Sequence, residues 1–186
     1  TVCSDLDAGI HKTYLLRGVT GSGKTEVYMD LIDYTIKKSK SVIVLIPEIA
    51  LTYQTVMRFT RRFKEKVSII NSRLSSGERY DQFERAKNGD VTIMIGPRSA
   101  LFTPFSNLGL IVIDEEHESA YKSESVPKYH AIEVAQKRAY DTGATVVLGS
   151  ATPSLESYYK AKNGTYILHK LTTREKGNLP SVSVVD

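Results

Sequence analysis

A glycine-rich segment, Gly18 to Thr25, has the residue types and spacing of a phosphate-binding loop, G-x-x-x-x-G-K-[ST]. A short apolar run precedes it and a segment with helical spacing follows, which is the context that such a loop requires. Glycines let the backbone wrap an anion, and the following helix turns its positive end to the same point. Lys24 would reach the β- and γ-phosphates, and Thr25 would help to hold Mg²⁺. The predicted nucleotide-binding residues are Gly18, Thr20, Gly21, Ser22, Gly23, Lys24 and Thr25.

The second segment with chemical potential is acidic and directly follows the most apolar run of the sequence; it reads Asp114, Glu115, Glu116, His117. One carboxylate at this place can bind the Mg²⁺ that Thr25 approaches. A second one can orient and deprotonate a water that attacks the γ-phosphate. We assign Asp114 to the metal and Glu115 to the base, which makes Lys24, Asp114 and Glu115 the predicted catalytic residues. Glu116 stays open between a catalytic and a structural role.

A third segment, 149–154, consists of small and hydroxyl residues and follows another strand-like run. Its two central hydroxyls, on Ser150 and Thr152, could relay hydrogen bonds between the nucleotide and something bound opposite. A strand-to-helix turn with Pro153 at the first helical position explains the same residues locally. The residues alone leave both interpretations open.

Strand-like and helix-like segments alternate along the chain and would position these three segments. Strands are predicted at 13–17, 41–46, 67–70, 91–95, 110–113, 145–148 and 166–168, and helices near 24–38, 50–63, 75–88, 130–142 and 153–163. This order predicts an α/β fold with a doubly wound, mainly parallel sheet flanked by helices. The unusual segments 18–25, 47–52, 96–102, 114–118 and 149–154 all follow predicted strands. Ligands of such sheets lie at the carboxyl ends of the strands, so we expect one shared active edge.

Length and composition indicate one globular domain. We expect a poorly defined edge over residues 1–12, the domain over 13–171, and a polar linker over 172–186. No apolar run is long enough for a membrane span, no signal peptide is visible, and the single cysteine, Cys3, cannot form an internal disulfide. These features favour a cytoplasmic protein without a membrane partner.

The charge balance is mildly basic, with 25 Lys and Arg against 21 Asp and Glu, and a pI of about 9.0. Five basic residues are concentrated within nine positions: Arg58, Arg61, Arg62, Lys64 and Lys66. Such a balance permits a polyanionic partner, whereas the concentrated stretch alone is as well explained by a solvated helix face.

Taken in order, the phosphate loop, the D-E-x-H segment and the S-A-T segment resemble superfamily 2 helicases. Finer matches are similar to the primosomal protein N′ family of replication-restart helicases: Gly18–Tyr28, Pro47–Thr52, Gly96–Phe102, Asp114–His117 with Tyr121 and Lys122, Tyr129–Ala131, and Leu148–Ser154. They run in family order over residues 14–185, nearly the whole chain.

The resemblance implies a P-loop NTPase with a RecA-like fold, the first motor lobe of an ATP-dependent, 3′-to-5′ DNA helicase of replication restart. It implies ATP and Mg²⁺ as cofactors, single-stranded or forked DNA as substrate, and primosome proteins as partners. The residues implied in DNA contact or in coupling it to ATP hydrolysis are Thr52, Arg98, Ser99, His117, Tyr121, Lys122, Tyr129, His130, Ser150 and Thr152. Hydroxyls and an arginine suit phosphate contacts, and aromatics interleaved with positive charge can stack bases. Ordinary half-buried tyrosines remain the alternative for that aromatic stretch.

The chain also departs from the family. Residues 1–13 contain no glutamine, so the adenine-recognition motif is missing. The second motor lobe with its arginine finger, the N-terminal DNA-binding domain and the zinc-binding cysteines of the full-length family are missing too. We therefore expect a lobe that binds ATP but has little turnover alone, since the transition-state arginine normally comes from the second lobe.

Other classes of protein remain as alternatives. A transport-type ATPase is suggested by residues 74–78, which resemble its serine-glycine signature, but this segment lies too far before Asp114 for that architecture. A GTPase would require an N-K-x-D motif, which the sequence lacks. A non-catalytic nucleotide- or protein-binding module stays open.

Overall fold

The structure, a computed structural model, describes residues 2–8 and 11–172, so the predicted linker lies, apart from Thr172, outside the described residues. Within this range the strands are β1 Thr13–Gly18, β2 Ser41–Leu45, β3 Val67–Ile69, β4 Ile93–Gly96, β5 Leu108–Ile113, β6 Thr145–Ser150 and β7 Ile167–Leu171. The helices are α1 Val2–Asp7, α2 Lys24–Lys37, α3 Tyr53–Phe63, α4 Ser76–Asn88, α5 Ala131–Thr142 and α6 Leu155–Lys162. Short 3₁₀ turns at Glu48–Ala50, Lys64–Lys66, Arg98–Phe102 and Ser119–Tyr121 connect them.

The strands form one sheet in the order β3-β4-β2-β5-β6-β1-β7, and every neighbouring pair is parallel. The predicted parallel α/β architecture is thereby confirmed. All six residues of β5 and all six of β6 are buried, as expected of strands covered on both faces. Because all strands point the same way, their carboxyl ends meet at a single edge of the sheet.

The core has two layers, one on each face of the sheet. Side-chain alternation along β5 sends Ile111 and Ile113 to the layer that contains the buried residues of α4 and α5. Leu110 and Val112 point to the opposite layer, which contains those of α2 and α3. The sheet is therefore sandwiched between helices, which fixes the strand ends that carry the unusual segments.

Element boundaries differ from the predictions in a few places. Helix α3 begins only at Tyr53, because Thr52 caps it and accepts a hydrogen bond from the Thr55 amide. Helix α6 begins at Leu155 with Ser154 as its cap, so the expectation that Pro153 opens this helix was wrong. Strand β6 continues through Ser150.

Helix α1 lies in the segment to which the sequence assigned no element. Tyr14 donates a hydrogen bond to Asp5 at 2.5 Å, and Tyr34 donates one to Asp7. These two tyrosines, from β1 and α2, hold the short helix on the face of the sheet that α2 covers. In the described part of the chain, no helix is both long and apolar enough to cross a bilayer.

The concentrated basic stretch is partly used within the fold. Arg58 of α3 pairs with Glu26 of α2 at 3.0 Å, and Arg62 pairs with Asp30 at 2.6 Å. Exposed pairs of this kind contribute at most about 1 kcal/mol each. They show, however, that two of the five basic residues brace α3 on the helix that follows the phosphate loop.

Replacing Gly96 by alanine should destabilise the fold, because the added Cβ would lie 2.6 Å from the carbonyl oxygen of Ile70 and 3.1 Å from the Cβ of Ala100. We expect a loss of roughly 1–3 kcal/mol in the free energy of unfolding, the usual cost of overpacking a core. Urea denaturation followed by far-UV circular dichroism measures it.

The matched control is Gly77→Ala in α4, where an added Cβ meets nothing within 4 Å. Alanine should be neutral or stabilise by up to about 1 kcal/mol there, because it loses less backbone entropy than glycine. Equal stability of the two variants would contradict the packing described at β4.

Candidate nucleotide site and groove at the carboxyl edge

The predicted phosphate loop connects the end of β1 to the start of α2. Gly21 and Gly23 adopt left-handed conformations, with φ of 79° and 85°, which glycine adopts without strain. Gly23 is also the N-cap of α2, and it provides no side-chain hydrogen bond to the first helical amides. The 14-residue helix therefore presents an N-terminus without a side-chain cap, which favours an anion.

Two polar side chains are buried inside this loop. The Lys24 ammonium donates to the carbonyl oxygen of Gly18 at 2.8 Å and is 8% exposed. The Ser22 hydroxyl is buried and has no hydrogen-bond partner among the described residues. Gly18 passes so close that a Cβ there would lie 2.4 Å from this hydroxyl. A buried cation and an orphaned donor beside an open helix N-terminus fit a triphosphate.

The acidic segment turns away from the end of β5 directly opposite α2. The Tyr28 hydroxyl, on α2, donates to the Asp114 carboxylate at 2.9 Å. Burial raises the pKa of Asp114 despite this hydrogen bond. Burial and the Asp114 charge raise the pKa of Tyr28 well above its ordinary value, so that the hydroxyl keeps its proton and donates. Asp114 is thus oriented by the helix that begins at Lys24.

Glu115 adopts a left-handed backbone conformation with φ of 47°. A residue with a side chain adopts this conformation at a cost of order 1 kcal/mol. Burial, followed by the charge of Asp114, raises the pKa of Glu115. The two predicted catalytic carboxylates have different neighbours: Asp114 accepts from Tyr28, and Glu115 Oε2 lies 3.7 Å from His117 Nδ1.

Sequence reasoning gave Tyr28 no role, yet this side chain joins three of the predicted segments. It is 1% exposed, and a Cβ on Gly149 would lie 1.5 Å from its hydroxyl. Only glycine at this position of β6 lets the tyrosine reach Asp114. The sequence contained one indication of this role: Tyr28 follows Lys24 by four residues, so both side chains lie on the same face of the helix.

Glu116 has a structural position, which resolves the alternative that the sequence left open. It is 2% exposed, and its carboxylate accepts hydrogen bonds from the Ser154 amide at 2.7 Å, the Ser154 hydroxyl at 3.1 Å and the Ser157 hydroxyl at 2.8 Å. Its own amide donates to the carbonyl oxygen of Gly149. Glu116 therefore ties the acidic segment to the start of α6.

A second link joins the acidic segment to the S-A-T segment. His117 Nδ1 and the Ser150 hydroxyl lie 2.8 Å apart, and this hydroxyl accepts a hydrogen bond from the Thr152 amide at 3.0 Å. The structure thus brings together three residues that were predicted to relay between the sites. The Ser150 hydroxyl thus takes part in the local turn, and its role as a relay to a bound ligand stays a prediction.

An open groove of about 610 Å³ runs along the same edge, beside the ends of β2 and β4. Its lining includes Glu48, Arg79, Arg98, Ser99, Lys122 and Glu124. The groove carries both signs of charge, and the Ser72 side chain and amide hold the pKa of Glu48 below its usual range. Thr52 caps α3 on the exposed surface near β2 rather than inside the groove lining.

The aromatic stretch after the acidic segment divides into buried and accessible residues. Tyr121 is 1% exposed, and its hydroxyl donates to the carbonyl oxygens of Asp114 at 2.6 Å and Leu45 at 3.1 Å. The ring of Tyr121 is therefore not accessible to a base, which leaves coupling as the part of its prediction that stays open. His130 Nδ1 accepts from the Ile132 amide and caps α5, and burial lowers the pKa of this histidine. Tyr129 is half-buried.

Arg98 connects the groove to this aromatic stretch. Its guanidinium donates to the carbonyl oxygens of Ala120 and Lys122, and it lies 5.7 Å from the centre of the Tyr129 ring. Part of its donor capacity is therefore used within the fold. An arginine has five N–H donors, so others can serve a ligand in the groove.

The fold and the arrangement of the loop, the acidic segment and the S-A-T segment define a class of protein. A model of the DEAD/DEAH box helicase family matches residues 5–161, and the chain belongs to this family. Within it, the chain is similar to the replication restart protein PriA of Bacillus subtilis (strain 168), with 53% identity over 182 residues. This match covers 97% of the chain and 23% of that protein, so the chain spans about a quarter of the length of this relative.

Solved structures share the fold. The helicase domain of Pyrococcus furiosus Hef superposes with a TM-score of 0.64 at 19% identity, over 92% of this chain and 36% of that chain. The DUF1998 helicase MrfA, bound to DNA and AMPPNP, gives a TM-score of 0.63 at 19% identity, over 92% of this chain and 26% of that one. These likenesses show a RecA-like helicase fold.

Glu116→Ala should destabilise the fold strongly, because it leaves the Ser154 amide and two serine hydroxyls without their buried acceptor. We expect a loss of at least about 2 kcal/mol in the free energy of unfolding, given the cost of unpaired buried polar groups. Urea denaturation of the variant measures it.

The neighbouring Glu118, whose side chain is 43% exposed, offers the control. Glu118→Ala should change stability by less than about 0.5 kcal/mol. If both substitutions had the same effect, the buried bridge to α6 would contribute nothing to stability.

Proposed function

We propose that this chain is the ATP–Mg²⁺-binding motor lobe of an ATP-dependent DNA helicase of replication restart. The observation that carries the proposal is the phosphate loop at the uncapped start of α2, joined through Tyr28 to Asp114 and through the acidic segment to the S-A-T segment. Membership of the DEAD/DEAH box helicase family and the similarity to a replication restart protein support it. In this proposal the complete protein moves 3′ to 5′ on single-stranded or forked DNA and acts in the cytoplasm.

The chain's residues have distinct tasks at the nucleotide. The loop residues Gly18 and Thr20–Thr25 would hold the phosphates, with Lys24 exchanging the Gly18 carbonyl for a phosphate oxygen. Thr25 and Asp114 would hold Mg²⁺, and Glu115 would take a proton from the attacking water. Bound ATP–Mg²⁺ would supply the phosphoryl group whose hydrolysis drives movement.

Two short routes would couple this site to DNA. The first runs through the contact of His117 with Ser150 to the Thr152 amide. The second runs from the Asp114 carbonyl through Tyr121 to the carbonyl of Ala120, where Arg98 binds. Both routes lead from the acidic segment to residues outside the phosphate loop.

DNA would bind along the groove, mainly through its phosphates. Arg98, Ser99 and Lys122 line the groove, and Thr52 and Tyr129 lie at the same edge. The solved relative MrfA, which shares the fold, carries DNA together with AMPPNP. A second motor lobe that supplies the arginine finger, an N-terminal DNA-binding domain and primosome proteins would be the partners.

Lys24→Ala and Glu115→Gln separate nucleotide binding from chemistry. Lys24→Ala removes the buried ammonium and should weaken binding of fluorescent ATP with Mg²⁺ by at least about ten-fold, as expected for a charged hydrogen bond to phosphate. Glu115→Gln should bind with near wild-type affinity, because that carboxylate acts on the water. Fluorescence titration measures both affinities.

If the affinity survives Lys24→Ala unchanged, the loop is not the nucleotide site. Single-turnover hydrolysis with and without single-stranded DNA adds a further distinction. DNA-stimulated turnover supports a motor, and binding without turnover is expected of one lobe alone.

Arg98→Ala should weaken binding of single-stranded DNA to a similar extent across sequences. It should also lower the slope of log K against log salt concentration by about 0.7 for each lost phosphate contact on a single strand. Salt-titrated fluorescence anisotropy measures both effects.

Arg58→Ala is the control, since Arg58 pairs with Glu26 of α2, away from the groove. A loss confined to particular DNA sequences, or an unchanged salt slope, would contradict a phosphate contact by Arg98.

A further inference from the structure

The ring of Phe102 is an exposed aromatic surface at the carboxyl edge. Phe102 ends the 3₁₀ turn that follows β4 and is 52% exposed, although Ala100 and Leu101 of the same turn are fully buried. A single exposed aromatic is common on protein surfaces and shows nothing by itself. Its neighbours make this one distinctive.

Phe102 continues an aromatic and cationic surface that begins in the groove. Its ring packs edge-to-face against the ring of Tyr129, with centres 5.5 Å apart and planes at 80°. The guanidinium of Arg98 lies 5.7 Å from the centre of the same Tyr129 ring. We call Arg98, Tyr129 and Phe102 the stacking platform. Edge-to-face contact orients the two rings, while half of the Phe102 surface remains accessible.

The surroundings of the stacking platform are suited to a nucleic acid strand. Arg98 and Lys122 line the groove, and Lys128, directly before Tyr129, is exposed. Tyr129 is fixed through its carbonyl oxygen, which accepts a hydrogen bond from the Ser123 amide at 2.8 Å. Aromatic rings beside cations bind single strands by stacking bases while the cations neutralise phosphates. A base stacks on a ring whatever its identity, so such a contact tolerates any sequence.

We propose that Phe102 of the stacking platform stacks on a nucleobase of single-stranded DNA that extends from the groove past Arg98 and Tyr129. The proposal rests on the DNA-binding function proposed above and adds a base contact to the phosphate contacts. It adds Phe102 to Arg98 and Ser99, the two residues of this segment that the family resemblance implies in DNA contact.

The test compares two labelled oligonucleotides of equal length, oligo-dT and an abasic strand, by fluorescence anisotropy. Phe102→Ala should weaken binding of oligo-dT by roughly ten-fold, the usual scale of one stacked base. It should leave binding of the abasic strand unchanged. Phe102→Leu should behave like Phe102→Ala, and Phe102→Tyr should bind like the wild type, because stacking requires a ring rather than an apolar side chain.

Tyr140→Ala is the matched control. Tyr140 is 82% exposed on α5 and also has a lysine, Lys137, over its ring, but it lies outside the carboxyl edge. It should bind both strands like the wild type. Arg98→Ala, in contrast, should weaken binding of both strands.

Three results would overturn the proposal. If Phe102→Ala binds oligo-dT as tightly as the wild type does, Phe102 makes no contact with the DNA. If the variant weakens binding of both strands equally, the contact is not to a base. If the wild-type chain bound neither strand, the proposed DNA function of this lobe would fail, a result distinct from the other two. If circular dichroism shows that Phe102→Ala is unfolded, Phe102→Leu and Phe102→Tyr are compared instead. Equal binding of oligo-dT by these two variants would then overturn the proposal.

Discussion

The hydrogen bond from Tyr28 to Asp114 determines how the three chemical segments meet. Tyr28 lies one turn after Lys24, and its hydroxyl crosses β6 at Gly149, where any side chain would collide with it. One contact therefore fixes the start of α2, the end of β5 and the end of β6 relative to each other. A hydrogen bond to a carboxylate in buried surroundings is stronger than one in water. The site is thus assembled by a residue that does not itself need to touch the nucleotide.

Other contacts hold the acidic segment on its remaining sides. Glu116 reaches the start of α6, and the Tyr121 hydroxyl rests on the backbone of Asp114 and β2. Fully satisfied buried polar groups of this kind make a segment rigid, since any displacement leaves donors or acceptors unpaired. His117 differs from these, because 30% of its side chain is exposed and its partner Ser150 lies on another segment. Within the acidic segment, the side chains of Glu115 and His117 thus remain partly accessible to a ligand, at 32% and 30%.

Local patterns in the sequence were sufficient to predict the architecture. The alternation of strand-like and helix-like segments predicted the parallel sheet. The position of the unusual segments directly after predicted strands indicated one shared edge. The order of the strands depends on contacts between distant segments, which periodicity does not contain. The same reason explains Tyr28 and Glu116. Sequence reasoning assigned no role to Tyr28 and left that of Glu116 open, because their partners lie on segments that are distant in the chain. The burial of Tyr121, which was placed among the residues for DNA contact or coupling, could not be predicted, because exposure cannot be read from an aromatic-rich composition. The catalytic and DNA-contacting roles stay predictions.

The 3₁₀ turn Ser119–Tyr121 lies between the nucleotide site and the groove. At one end the Tyr121 hydroxyl contacts the carbonyl of Asp114, and one residue earlier the Ala120 carbonyl accepts from Arg98. A phosphate in the groove would share the Arg98 guanidinium with this carbonyl and with that of Lys122. A shift of Arg98 towards the phosphate would release these two carbonyls, and the same turn holds the Tyr121 hydroxyl against the Asp114 carbonyl. The turn therefore contacts both surfaces directly, through one hydrogen bond at Asp114 and one at Arg98.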